Sequence, residues 1–172
     1  VMDETEFWEL VDSTRADAGG DPEEQADLLV DRLTGLDPDS VLDFARHFES
    51  RHERARTWEL WGAASVLLGG ADDEAFDAFR CWLIGRGREV FEGAVHDPDA
   101  LAGLLDEFDE ELDGDAEELG YAADDAYEQL TGLRRPGTGT PQAAEPLGTP
   151  VDLNDDRALA SRYPRLWECF GH

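Results

Sequence analysis

Apolar residues recur along most of this chain at steps of three and four, the spacing of one buried face on an α-helix. Phe7, Leu10 and Val11 follow Asp3 and Glu6, a capping-box-like start in which aspartate replaces serine or threonine. Asp21-Pro22, Asp37-Pro38 and Asp97-Pro98 each set a good N-cap before a proline suited to the first helical turn. Gly19-Gly20, Gly35, Gly69-Gly70 and Gly132 stand where the periodicity stops, as C-terminal caps do. Together these signals predict helices over roughly 4–18, 22–34, 38–56, 57–68, 72–85, 87–96, 98–112 and 116–131. No run of β-branched residues alternates with period two. The nearest, Ala64-Ser65-Val66-Leu67-Leu68, continues a helical pattern begun by Trp58 and Trp61. The expected fold class is all-α: a single compact multi-helix domain with a Pro/Gly-rich C-terminal arm.

That arm begins near Arg134, where the text becomes RRPGTGTPQAAEPLGTP. Four of the chain's eight prolines fall there, with glycine and threonine and no apolar periodicity. Such a stretch predicts a linker or an extended wrap. Leu153, Leu159, Tyr163, Leu166, Trp167 and Phe170 follow, too many large apolar residues for a free tail. The expected organisation is a helical domain over 2–132, a linker or wrap over 133–150, and an aromatic segment over 151–172 docked on the helical body.

Composition narrows the class. The 172 residues are 41% hydrophobic, enough to build one full core. No stretch approaches the roughly 20 apolar residues of a membrane span, and VMDETEFWEL lacks the basic and apolar regions of a signal peptide. A cytoplasmic protein is expected. Two cysteines, Cys81 and Cys169, are too few for a disulfide framework, and Cys81 reads as a small buried hydrophobe. Forty-two acids against 14 basic residues, all of them arginine, give a net charge of −28. So large a negative charge repels nucleic acid and anionic membranes and favours a basic protein partner or cationic ligands.

The aromatic punctuation carries a resemblance. Glu6-Phe7-Trp8, then Trp58-Glu59-Leu60-Trp61-Gly62-Ala63-Ala64, then Phe79-Arg80-Cys81-Trp82-Leu83-Ile84-Gly85-Arg86-Gly87, then Tyr121-Ala122-Ala123 and Ala126-Tyr127-Glu128 occur in that order. Together they resemble the bacterial domain-of-unknown-function family DUF4240, common in actinobacteria. The likeness spans about residues 2–132, and Tyr163-Pro164-Arg165-Leu166-Trp167 also looks like that family's ending. It implies a helical intracellular protein and brings no activity with it.

Two cationic patches stand out against the acidic background. In RCWLIGRGREVF, Arg80, Arg86 and Arg88 fall within nine residues. Asp77, Glu89 and Glu92 lie three or four residues from them, at spacings that meet on a helix surface. The patch can therefore neutralise itself. Its Gly-x-Gly resembles a phosphate loop, but no strand precedes it and no Lys-Ser/Thr follows. The second patch is a stripe of His47, Arg51 and Arg54, which Trp58 extends if the helix runs on. Arg51 and Arg54 have no acid three or four residues away. An uncompensated stripe of this kind suits a carboxylate or phosphate held by a guanidinium fork; the plainer reading pairs the arginines with acids on another helix.

Other constellations are thinner. His52 falls on the apolar face with Ala45, Phe48 and Ala55, as a satisfied core histidine or a base beside a carboxylate. Glu49-x-x-His52 matches one element of a di-iron bundle, which needs two, and Glu92/His96 and Glu168/His172 are chance-level pairs. Residues 109–120 resemble a calcium loop with glycine at its sixth position, but Gly120 stands where the bidentate glutamate belongs. No nucleophile motif occurs, and the tryptophans read first as core. The sequence thus names no catalytic residue, no metal site and no cofactor. Its leading reading is a non-enzymatic acidic protein-interaction or accessory module. The alternative is a small carboxylate- or phosphate-binding protein, or enzyme, built on His47, Arg51, Arg54, Trp58, Arg80, Arg86 and Arg88.

Overall fold

The computed structural model describes residues 2–104, 114–140 and 145–171. Among them lie ten α-helices: α1 (Glu4–Asp17), α2 (Pro22–Leu33), α3 (Pro38–Arg54), α4 (Trp58–Leu68), α5 (Asp73–Gly85), α6 (Arg88–His96), α7 (Leu101–Leu104), α8 (Ala122–Thr131), α9 (Asp156–Arg162) and α10 (Pro164–Phe170). Two 3₁₀ segments, Pro98–Ala100 and Gly114–Tyr121, complete the regular structure. There is no strand among the described residues, and one isolated parallel bridge joins Thr57 to Leu147. The fold is all-α.

The first six helices start and stop within two residues of where the periodicity placed them. Asp3 accepts a hydrogen bond from the Glu6 amide at 2.8 Å, the expected cap. All three Asp-Pro prolines occupy first turns, but only Asp21 caps with its side chain, to the Glu23 amide. Asp37 instead accepts from the Ser40 hydroxyl at 2.6 Å, and Asp97 from the Arg165 guanidinium at 3.1 Å. A nearby hydroxyl or cation outcompetes the helix's own amide for the carboxylate. Gly69 and Gly132 end α4 and α8 in the left-handed conformation, with φ of 68° and 73°.

The helix expected over 98–112 is, in its described part, a 3₁₀ turn followed by the single turn α7. Residues 105–112 lie outside the described residues. The helix expected over 116–131 starts as the 3₁₀ segment and becomes α-helical only at Ala122. Gly120, near the end of that segment, lets the backbone come close to α5, where an added Cβ would lie 3.2 Å from Cys81 Sγ.

Helix α5 is the centre of the molecule, with every residue from Phe79 to Gly85 buried. Over that half of the helix the side chains other than Arg80 are uncharged and mostly apolar all round, the mark of a segment with neighbours on every side. Asp73, Glu74 and Asp77 of its first half face solvent. Fully buried Phe7, Phe44, Phe76, Trp82 and Phe91 fill the spaces between α1, α3, α5 and α6. Burial of each such side chain stabilises by about 1.5–3 kcal/mol.

The C-terminal helices lie against α4. Leu159 and Leu166 are buried, and the Tyr163 hydroxyl donates to the Glu59 carbonyl at 2.6 Å. Gly62 makes room for that ring, since any Cβ there would collide with it. Asp99 then clasps the start of α10, accepting from the Leu166 amide at 2.9 Å and from the Arg165 Nε at 3.1 Å.

Candidate functional site

Helix α3 carries the stripe that the sequence singles out, and the structure supplies each of its cations with a partner from elsewhere in the chain. His47 Nε2 lies 3.0 Å from the Met2 carbonyl, so that nitrogen carries the proton. Its Nδ1 lone pair then accepts from Arg51 Nη1 at 3.3 Å. Arg51 is half-buried; its Nη2 meets Glu4 Oε1 at 3.2 Å, and its guanidinium lies over the Phe7 and Trp8 rings. Arg54 grips Glu92 with both ends of its fork, at 2.9 Å each. That hydrogen bonding holds the Glu92 carboxyl below the ordinary carboxylate range. Arg88 also approaches Glu4, at 3.6 Å. Arg51, Arg54 and Arg88 therefore do come together, around two carboxylates from α1 and α6.

The remaining members of the set lie apart from that cluster. Trp58 does not extend the stripe: α3 ends at Arg54, and the Trp58 ring stacks on Trp61 at 5.3 Å in the next helix. Arg80 is buried, 5% exposed, and donates to Asp77 at 2.8 Å and to the His52 carbonyl at 2.9 Å. Burial lowers its pKa, opposed by the Asp77 charge. Arg86 donates to the Gly20 carbonyl at 2.6 Å and lies over the Trp82 ring. Of the local pairs expected in RCWLIGRGREVF, Arg80 with Asp77 forms, while Glu92 is taken by Arg54. The Gly-x-Gly serves the turn between α5 and α6. Gly87 has φ of 103°, and a side chain there would strike the Asp12 carboxylate.

His52 leans on Phe48 and sets Nε2 3.2 Å from Asp77 Oδ1. The hydrogen bond from His52, with Arg80 beside it, keeps the Asp77 carboxyl below its usual range. The two line a cavity of about 150 Å³ together with Cys81, Glu117 and Tyr121. Cysteine, histidine and aspartate in one cavity suggest a nucleophilic triad, but the chemistry does not follow. The imidazole is turned to Asp77, and burial pushes the Cys81 thiol up to about 12, so it holds its proton at neutral pH.

A larger cavity, about 650 Å³, opens where the Pro/Gly-rich arm crosses α3 and α8. Glu49 of α3 and Asp124 and Glu128 of α8 form one wall; Arg134, Arg135, Thr138 and Thr140 of the arm form the other. Arg135 bridges the two helices. Its Nη2 meets Glu49 at 2.5 Å, its Nε meets Asp124, and its side chain is 14% exposed. Burial pulls the guanidinium pKa down, but the Glu49 hydrogen bond and the Asp124 charge outweigh it and raise the value. Thr138 adds a hydroxyl hydrogen bond to the same Glu49 carboxylate. In the sequence Glu49 stands out only as a di-iron-like partner of His52, Asp124 reads as one acid among many on a helix, and Arg135 falls in a linker. The signal available was the pair of arginines at the head of a segment whose other charge is Glu145 alone.

Among the described residues, no group of three or more His, Cys, Asp or Glu side chains is placed to hold a metal ion. Glu49 and His52 turn to different partners, Arg135 and Asp77. The calcium-like loop over 109–120 lies outside the described residues as far as residue 113, as does His172 of the Glu168/His172 pair. No described helix is long and apolar enough to cross a membrane.

Comparison with known proteins adds one match. A family model described as "Protein of unknown function (DUF4240)" covers residues 2–129. No curated protein and no solved structure matches the chain.

Proposed function

This chain belongs to the DUF4240 family, whose description carries no activity, and we propose that it is a non-enzymatic interaction module that takes a basic protein partner in the cleft between α3, α8 and the arm. One observation carries the reading: a single guanidinium, that of Arg135, bridges carboxylates from two helices at the wall of a cavity of about 650 Å³. The cleft is thus shaped and charged for an arginine side chain. A net charge of −28 draws a basic partner toward it over long range. The same proposal places the protein in the cytoplasm, where its two free cysteines suit a reducing compartment. It treats residues 2–132 as the body, 133–150 as a wrap and 151–172 as a docked segment. Nucleic acid is not among the partners proposed.

The small-anion reading of His47, Arg51, Arg54, Trp58, Arg80, Arg86 and Arg88 has less support. A carboxylate or phosphate on the stripe must displace Glu4 and Glu92 from Arg51 and Arg54. Tethered carboxylates compete at high effective concentration.

Calorimetric titration with acetyl-Gly-Arg-Gly-Arg-Gly-amide tests the proposal, with a glutamine-for-arginine peptide as control. The arginine peptide binds and the glutamine peptide does not. The Glu49→Gln/Asp124→Asn variant loses at least tenfold in affinity. Because that variant removes only two acids of 42, a long-range field alone would leave binding nearly unchanged. Undiminished binding therefore defeats the assignment to the cleft.

A further inference from the structure

We infer that the arm over 134–140 is a tethered occupant of the Glu49 and Asp124 carboxylates in this cleft, so that the free protein is self-blocked and an arginine-bearing partner binds by displacing Arg135. The inference rests on the reading of the cleft as a site for a basic protein.

Arg135 differs from Arg80 and Arg86 in what it holds. Arg80 and Arg86 donate to the carbonyls of His52 and Gly20, so those bonds are woven into the packing of the helices. Among the described residues, Arg135 reaches outside its own segment to side-chain carboxylates, Glu49 and Asp124, and its backbone contact is the Pro136 carbonyl next to it. An external guanidinium offers Glu49 and Asp124 the same donors without opening any helix. Arginine is favoured over lysine because Nε and Nη2 are used together, one on each carboxylate, and an ammonium has no such fork.

The arm is also built to leave. Residues 134–140 have no helix or strand hydrogen bonds of their own. Side-chain bonds from Arg135 and Thr138 tie them to the body. The chain is fixed on either side of this stretch. Before it, the Gly132 amide bonds back to the Glu128 carbonyl; after it, Leu147 exchanges backbone hydrogen bonds with Arg56 and Trp58. Release of Arg135 and Thr138 therefore frees the cleft without loosening α8 or α4. A tether of this length presents Arg135 at a local concentration in the millimolar range. If the arm fills the cleft about 90–99% of the time, the apparent affinity for an outside arginine falls about ten- to a hundredfold.

The experiment titrates acetyl-Gly-Arg-Gly-Arg-Gly-amide into wild type, Arg135→Ala and Arg135→Ala/Glu49→Gln, with circular dichroism to confirm folding. An acetylated synthetic copy of the arm, Arg-Arg-Pro-Gly-Thr-Gly-Thr, is titrated into wild type and Arg135→Ala. Arg135→Ala binds the arginine peptide at least tenfold more tightly than wild type, and Glu49→Gln on that background abolishes the gain. The arm peptide binds Arg135→Ala and not wild type. Thr138→Ala, which loosens the arm while keeping Arg135, shifts affinity the same way by about two- to fivefold, and stands in if Arg135→Ala does not fold. Equal affinity in wild type and Arg135→Ala, both lost with Glu49→Gln, overturns self-blocking and leaves the basic-partner reading intact. Weaker binding by folded Arg135→Ala makes Arg135 part of the receiving surface and also overturns it. No binding to any variant ends both.

Discussion

Arg51 and Arg54 have no carboxylate within reach on α3, and each finds one on another helix: Glu4 and Glu92. The charge pairing of these two residues is thus explained by their tertiary neighbours and not by their sequence neighbours. Gly62 has no local reason to be glycine in the middle of α4, but the Tyr163 ring occupies the space a side chain would need. Cys81 shows what burial does to chemistry. It sits in α5 with 7% of its surface exposed, whereas Cys169 is exposed on α10. A thiol pushed up to about 12 stays protonated far above pH 8, and only the thiolate reacts. Native protein at pH 8 should therefore release one rapid equivalent with a disulfide reagent, from Cys169, and a second only in denaturant. Two rapid equivalents would show that the cavity beside His52 admits the reagent and that the thiol is not held protonated.

At the scale of elements, the docking of α9 and α10 depends on a polar clasp as well as on apolar contact. Asp99 is only 9% exposed and accepts from the Leu166 amide and from Arg165. Removing the carboxylate leaves a buried amide without an acceptor, which costs more than the loss of an exposed bond. Asp99→Ala should lower stability in urea by about 2–3 kcal/mol. It should also speed tryptic cleavage at Arg157 and Arg162, both exposed on α9. A loss below about 0.5 kcal/mol, the range of ordinary surface substitutions, would mean that Leu159, Tyr163 and Leu166 hold the segment unaided.

Over the whole molecule, 42 acids against 14 arginines leave a charge that opposes compaction. In-chain pairs such as Arg54–Glu92 and Arg135–Glu49 pull the other way. Salt weakens both, but not equally. The repulsion acts between exposed charges many ångströms apart, and screening shortens its range from about 30 Å at 0.01 M to about 3 Å at 1 M. Close, partly buried pairs are screened less. The thermal midpoint should therefore rise between 0.01 and 0.5 M sodium chloride. A falling midpoint would reverse the ranking and show that attraction within the ion pairs outweighs the repulsion.

The first six helices were legible because their determinants are local. Apolar spacing, Asp-Pro starts and glycine stops act within a few residues, and DUF4240 was readable from its aromatic motifs in order. The fates of Asp37 and Asp97 were not legible, because Ser40 and Arg165 compete for those carboxylates only once the chain has folded. The candidate cleft was still further from view. Glu49 and Arg135 are 86 residues apart, and each looks ordinary in its own segment. Helices follow from periodicity along the chain. A pair such as Arg80 with Asp77 can be read from its spacing. The pairs that join distant segments, Arg54 with Glu92 and Arg135 with Glu49, follow from how the chain packs, which is a property of three dimensions.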